Sequence, residues 1–265
     1  LPMDVEHTIT SIMEAVESGR ISKERIDQSV KRIWDMKFET GLLDGNYQPP
    51  FKELEKIIGN PKHKKISRKI AQKSITIVKD DHNQLPLKPE RIDSLAHIIL
   101  SLDDGSRDYL KLFSRDIHRT HGHVKEIFVN NPLTELGRLD IQNQMKGIDQ
   151  AVVSLLVRIQ MDKGISTIDS THAILLSELH KLGIPMVTFS FGSPYLPSYK
   201  MLETYVCTFG YGNITMQAAA DALWGRISIN GLLPVDLNSK YSRGFGVPIK
   251  KRHNSWGQHL QIDFP

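Results

Sequence analysis

Residues 183–235 read GIPMVTFSFGSPYLPSYKMLETYVCTFGYGNITMQAAADALWGRISINGLLPV, and this stretch decides the fold. Two apolar runs, 185–191 and 204–209, are too short for helices and rich in Val, Thr and Phe, which marks them as buried strands. Gly210-Tyr211-Gly212-Asn213 follows as a turn, with Asn213 placed to cap the Ala-rich helix expected over 214–224. The stretch closes on Gly231-Leu232-Leu233-Pro234-Val235. Proline cannot donate to a central ladder, so the chain should leave the sheet there at an edge.

Working outward, the same unit repeats upstream. Strands are expected over 73–78, 95–102, 124–129 and 151–157, alternating with helices over 109–117, 133–145 and 169–182, the last capped by Asp169 or Ser170. Continuous apolar strands alternating with helices imply an α/β fold, a doubly wound, mostly parallel sheet sandwiched between helices with flavodoxin-like layering. This sandwich should occupy residues 73–250, with 251–265 as a carboxyl-terminal extension.

The first 43 residues differ in kind. Val5, Ile9, Ile12, Met13 and Val16 recur at helical spacing up to Gly19, and a second stripe capped by Ser22 runs through Ile26, Val30, Ile33, Trp34 and Phe38 to Gly41. Two helices with such wide apolar faces need something to pack on. Residues 44–72 read as a linker of turn formers, DGNYQPP, followed by a basic helix over 51–72 whose buried side carries Ile66, Ile70 and Ala71.

The chain has 265 residues, of which 40% are hydrophobic, enough to bury a large core. A net charge of +4 falls well short of a dedicated nucleic-acid binder, so no nucleic-acid partner is expected. No apolar run approaches the roughly 18 residues of a membrane span. The single cysteine, Cys207, lies in an expected buried strand and excludes internal disulfides and a cysteine metal site. Beginning at Leu1 and ending at Pro265, the chain reads as a piece of a longer polypeptide.

Ligands of such sheets meet the loops that follow the strands. These are 103–107, 130–132, 158–168, 192–199 and 210–213, and they place Arg158, Asp162, Ser193 and Tyr195 as candidate substrate-facing or partner-facing residues. Gly210 and Gly212 at a strand-to-helix turn also fit a flavodoxin-like module that holds a phosphate or nucleotide, although the third glycine of a dinucleotide fingerprint is missing. Ser190-Phe191-Gly192-Ser193 is not a nucleophile elbow. His118, His121 and His123 resemble a metal cluster by spacing alone, and Gly122 breaks the helix that would align them, so neither metal nor cofactor is expected. Glycoside hydrolysis needs paired carboxylates, yet no glutamate lies between Glu135 and Glu178, and the long loop offers Asp162 alone.

Three ordered segments carry a resemblance: AVESGRISKERIDQSVKRIWDMKFETGLLD (15–44), IAQKSITIVKDDHNQLPL (70–87) and AAADALWGRISINGLLPV (218–235). With FGSPYLPSY (191–199), they resemble family 3 glycoside hydrolases, in particular the β-N-acetylglucosaminidase branch. The resemblance implies that residues 1–43 are the last helices of a truncated (β/α)8 barrel and that the rest is the family's second, α/β sandwich domain. It implies a parent that hydrolyses terminal β-linked sugars with retention, secreted, periplasmic or attached to a bacterial cell envelope. The barrel of that parent would be this domain's partner, with carbohydrate bound through the parent. The nucleophilic Asp and the His and Asp of acid/base catalysis in that branch would lie on barrel loops, so no catalytic residue is expected in this chain. In the β-glucosidase branch a glutamate after the strand matching 151–157 acts as acid. Here the residues are Val157-Arg158-Ile159-Gln160.

Overall fold

A computed structural model describes residues 2–43, 53–102, 108–129, 133–159 and 166–252. The chain divides into two compact units, Leu1–Asn60 and Pro61–Pro265.

In the first unit, α1 (Val5–Glu17) and α2 (Lys23–Glu39) start on side-chain caps. Asp4 accepts from the His7 amide at 2.9 Å and Ser22 from the Arg25 amide at 3.2 Å. Each helix is followed by a glycine at φ 73°, Gly19 and Gly41, the left-handed stop expected from the sequence. The apolar stripes have formed but stay uncovered: Val5, Ile9, Met13, Ile33, Trp34 and Phe38 are all exposed. A four-residue helix, α3 (Leu54–Ile57), lies near the end of this unit.

The basic helix is shorter than expected. It begins at Pro61 as α4 (Pro61–Ser74), because Gly59 at φ 72° ends the preceding turn and proline fits the first helical position, where no amide is needed. Ile66 and Ile70 do not lie on a buried side. Both are exposed, and only Ala71, on the last turn, is buried. The helix runs to Ser74, so the first strand starts at Thr76 rather than at residue 73.

The second unit is built on a six-stranded sheet. Its strands are β1 (Thr76–Asp80), β2 (Leu95–Ser101), β3 (Val124–Val129), β4 (Gln150–Val157), β5 (Met186–Gly192) and β6 (Thr204–Cys207), in the order β1-β6-β5-β4-β2-β3. All neighbours are parallel except β1, which runs antiparallel to β6. The remaining helices are α5 (Lys111–Thr120), α6 (Glu135–Gln144), α7 (Ser170–Lys181) and α8 (Asn213–Leu223). The expected α/β sandwich is what has formed.

Strand alternation sorts the core into two layers. Leu95 and Ile99 of β2 and Val152 and Leu156 of β4 meet Phe113 and Ile117 of α5 and Met216 and Ala219 of α8. On the other face, Ala96, Ile98, Val153 and Leu155 meet Ile141 of α6 and Leu175 and Leu179 of α7. Asp169 caps α7 by accepting from the Thr171 amide at 2.7 Å. The cap of α8 is Gly212 instead of Asn213: the extended backbone (φ −79°, ψ 165°) sits one residue earlier, and Asn213 is already helical.

The 231–235 segment leaves beside the edge strand β1. A Cβ on Gly231 would lie 2.2 Å from the Ile75 carbonyl oxygen, so only glycine permits this approach. The chain then returns, with the Val247 amide donating to the Ile77 carbonyl at 2.8 Å and Ile229 and Ile249 exchanging both backbone bonds. Among the described residues no helix is long and apolar enough to cross a membrane.

Candidate functional site

The chain passes from β2 outward to β3, then returns to β4 and proceeds the other way through β5 and β6. The order therefore reverses between β2 and β4, and the crevice beyond their carboxyl ends is where such sheets take ligands. Arg158 stands there, one residue past β4. Its guanidinium carbon is 5.6 Å from the centre of the Tyr109 ring and 6.0 Å from that of Tyr211. The two rings meet edge to face, 5.4 Å apart at 73°. Tyr109 comes from the segment after β2 and Tyr211 from the turn before α8, so three connections converge on one cation and two aromatic rings.

Gly192 holds the floor of this crevice. At φ 94° it closes β5 with its backbone so near β4 that a Cβ would lie 2.3 Å from the Val157 carbonyl oxygen, with Tyr211 packed 3.6 Å away. Ser193 continues the contact by donating its amide to Val157 at 3.0 Å.

Ser193 is buried, and its hydroxyl donates to the Ser166 carbonyl at 2.5 Å. That proton is engaged with a backbone oxygen, so Ser193 positions the loop and is not presented to a substrate. Tyr195 is 39% exposed, and its carbonyl accepts from Thr167 at 3.0 Å. Both residues belong to the 192–199 loop, which Tyr199 and Tyr205 pin by donating to the Pro194 carbonyl at 3.1 and 2.7 Å. Asp162, like the loops at 103–107 and 130–132, lies outside the described residues. The sequence offers Arg158 as a candidate and does not single out Tyr109 or Tyr211. Their only linear signal was an aromatic residue in each of two strand-end connections.

The 209–213 turn is tight. Phe209 takes φ 56°, and the Thr208 hydroxyl donates to the Gly210 carbonyl at 2.7 Å. The three histidines named above are engaged separately. His118 pairs with Glu126 at 3.2 Å, while His121 Nε2 donates to the Ile92 carbonyl at 2.7 Å. His123 meets His121 only edge to face, 6.5 Å between ring centres.

A second polar group, unforeseen in the sequence, lies inside the sheet. His97 of β2 contacts Ser154 of β4 through Nε2 at 2.8 Å and Ser114 of α5 through Nδ1 at 3.3 Å. The Ser114 hydroxyl in turn donates to Glu126 of β3. Serine, histidine and carboxylate are the ingredients of a nucleophilic triad. Here His97 and Ser154 are fully buried, with Phe113 edge-on to the imidazole at 5.7 Å, so the imidazole joins strands and neither it nor the Ser154 hydroxyl is offered to solvent. Burial pushes the His97 pKa down. His97, whose Nδ1 lies 3.8 Å from the Glu126 carboxylate, and after it His118 hold Glu126 below the usual carboxylate range despite its own partial burial. Cys207 is likewise buried, which pushes its thiol up to about 12 and removes it as a nucleophile at neutral pH.

No family model matches the chain. A β-N-acetylglucosaminidase/β-glucosidase of Cellulomonas fimi is 25% identical over 236 residues, covering 83% of this chain and 40% of that protein. The chain is related to the family 3 glycoside hydrolases. A family 3 β-N-acetylglucosaminidase from Paenibacillus sp. str. FPU-7 superposes on 86% of this chain with a TM-score of 0.56 at 24% identity, using 42% of its own length. The β-glucoside phosphorylase BglX matches the same share of this chain with a TM-score of 0.61 at 24% identity. The lysosomal β-glucosidase of Dictyostelium discoideum is 30% identical over 95 residues, 36% of this chain and 11% of its own. The chain thus spans about two fifths or less of the length of these relatives.

Proposed function

We propose that this chain is the carboxyl-terminal, non-catalytic part of a family 3 glycosidase that hydrolyses terminal β-linked sugars. Coverage carries the reading: 83% of this chain matches only 40% of the Cellulomonas protein, so most of such a protein has no counterpart here. Residues 1–43 would be the last helices of its (β/α)8 barrel, 44–72 the connection, 73–250 the companion domain and 251–265 its extension. The exposed stripes on α1 and α2 fit this role, because large contiguous apolar surface marks a missing partner.

The strand-end crevice would border the barrel's active site. Where the resemblance puts a glutamate acid in the β-glucosidase branch, this chain carries Arg158, a permanently charged donor without a proton to give. Between Tyr109 and Tyr211 it suits the hydroxyls and C–H face of a sugar, which makes the surface a lining and not a source of acid.

A retaining enzyme forms a covalent bond between its nucleophilic carboxylate and the sugar. Incubating the chain with an activated 2-fluoro glycoside and measuring its intact mass should therefore show no adduct. An adduct mapped to Asp162 or another carboxylate of this chain would overturn the proposal.

The helical stripes give a separate expectation. The chain should associate with increasing concentration in sedimentation velocity, and joint replacement Trp34→Glu and Phe38→Glu should return it to monomer. Equal association in both proteins would contradict a partner-facing role for α2.

A further inference from the structure

The positive charge of the chain is concentrated in one helix. α4 carries Lys62, Lys64, Lys65, Arg68, Lys69 and Lys73 and no carboxylate. Setting these six cations aside leaves 28 of the chain's 34 against 30 carboxylates, so everything outside α4 is net −2 although the chain as a whole is net +4. A charge gathered in this way produces a local field that the modest total conceals.

The cations of α4 are not neutralised by neighbours. Among the described residues, Lys64, Lys65, Arg68, Lys69 and Lys73 have no carboxylate within ion-pair distance. The helix packed beside α4 is α8, whose one carboxylate, Asp221, faces Arg226 at 3.5 Å. Every residue from Pro61 to Ile70 is exposed, and so is Lys73. Lys62, Ile66 and Ile70 follow one another at intervals of four, and Lys69 and Lys73 stand three residues beyond each isoleucine, so these five share a face. On it Ile66 is 56% exposed and Ile70 63%.

Two exposed isoleucines in a row of lysines decide what chemistry fits. A protein partner would have to desolvate several ammonium groups, and lysine is depleted from the centres of protein interfaces for that reason. Nucleic acid would satisfy the charge but leave the isoleucines in water, and α4 has no Phe, Tyr or Trp on which a base could stack. A bilayer containing anionic lipid meets both needs. Isoleucine side chains enter the boundary between headgroups and acyl chains, while the lysine stems extend to the lipid phosphates.

We propose that α4 is a peripheral docking site for an anionic lipid surface, lying along the bilayer and not crossing it. This role goes beyond the chain's place in a family 3 glycosidase and does not depend on it.

The test is co-sedimentation of the full chain with vesicles of phosphatidylcholine alone and of phosphatidylcholine mixed with phosphatidylglycerol. It is repeated in the chain carrying Trp34→Glu and Phe38→Glu, so that the stripe on α2 does not contribute. The expected result in both is binding to the anionic vesicles only, weakening as salt is raised. Lys69→Gln with Lys73→Gln should lower the affinity about twentyfold, each cation near the surface contributing about fivefold. Ile66→Ser with Ile70→Ser should lower it about tenfold or more at unchanged net charge. All four side chains are exposed, so the melting temperature should hold in either pair. No binding to anionic vesicles, equal binding to neutral ones, or an affinity unchanged by the isoleucine pair would each overturn the proposal. Tighter binding to duplex DNA than to the anionic vesicles would also overturn it, and would assign α4 to a polyanion instead.

Discussion

Gly192→Ala is expected to destabilise the chain by about 3–5 kcal/mol, read as a drop in the urea midpoint. Two effects add at this position. The backbone holds φ 94°, which an L side chain resists, and the new methyl would meet the Val157 carbonyl at 2.3 Å. That oxygen is fixed by the Ser193 amide and belongs to the central strand β4, so it cannot yield without opening the β4–β5 pairing. Gly147→Ala separates the two effects. Gly147 has a similar φ of 78° but nothing within 4 Å of an added Cβ, so its replacement should cost only about 1–2 kcal/mol. Because Tyr211 packs on Gly192, the near-ultraviolet circular dichroism of the tyrosines should also change in the first variant and not in the second. Equal costs at the two sites would show that Val157 does yield and that the crevice floor is softer than its geometry implies.

The second large effect concerns His97. His97→Leu leaves the buried Ser154 hydroxyl without its imidazole partner, and it should cost about 2–4 kcal/mol at neutral pH. The pH dependence has a definite sign. The folded pKa of His97 is depressed below 6.5, whereas the unfolded imidazole titrates near that value, so the unfolded chain takes up the proton first as pH falls. Stability is full above about pH 6.5 and declines below it until the folded imidazole also protonates, at no more than about 1.4 kcal/mol per pH unit for one proton. His172, also depressed by burial, adds a slope of the same sign. Glu126, held below 4.5, adds a further loss as pH falls under that value. Urea unfolding between pH 7.5 and 5 should show a shallower slope in His97→Leu than in the unsubstituted chain. Identical slopes would mean that His97 accepts its proton in the folded state without penalty.

Local pattern carried most of the fold. Apolar runs such as 151–157 and 185–191 announce buried parallel strands, and Asp169, Ser22, Gly19 and Gly41 mark helix ends, because period and capping chemistry act within a few residues. What escaped depends on distant contacts. Arg158, Tyr109 and Tyr211 come together only after two crossovers bring three connections to one end of the sheet. His97, Ser154 and Glu126 sit on separate strands, and nothing in any one strand states the register that pairs them. The antiparallel setting of β1 was equally invisible, since β1 meets β6 at the edge more than 120 positions later in the chain. Helical period alone puts Ile66 and Ile70 on a buried side, yet both are exposed. Period says which residues share a face and not what covers it, and α4 buries only Ala71.

The central claim is that the groups which break a glycosidic bond are supplied by polypeptide other than this chain. The most direct measurement is hydrolysis of aryl N-acetyl-β-glucosaminides and aryl β-glucosides by the purified chain, followed over substrate concentration. The account expects release of the aryl alcohol no faster than in buffer. Saturable turnover that disappears on Asp162→Asn, with the fold intact, would contradict it.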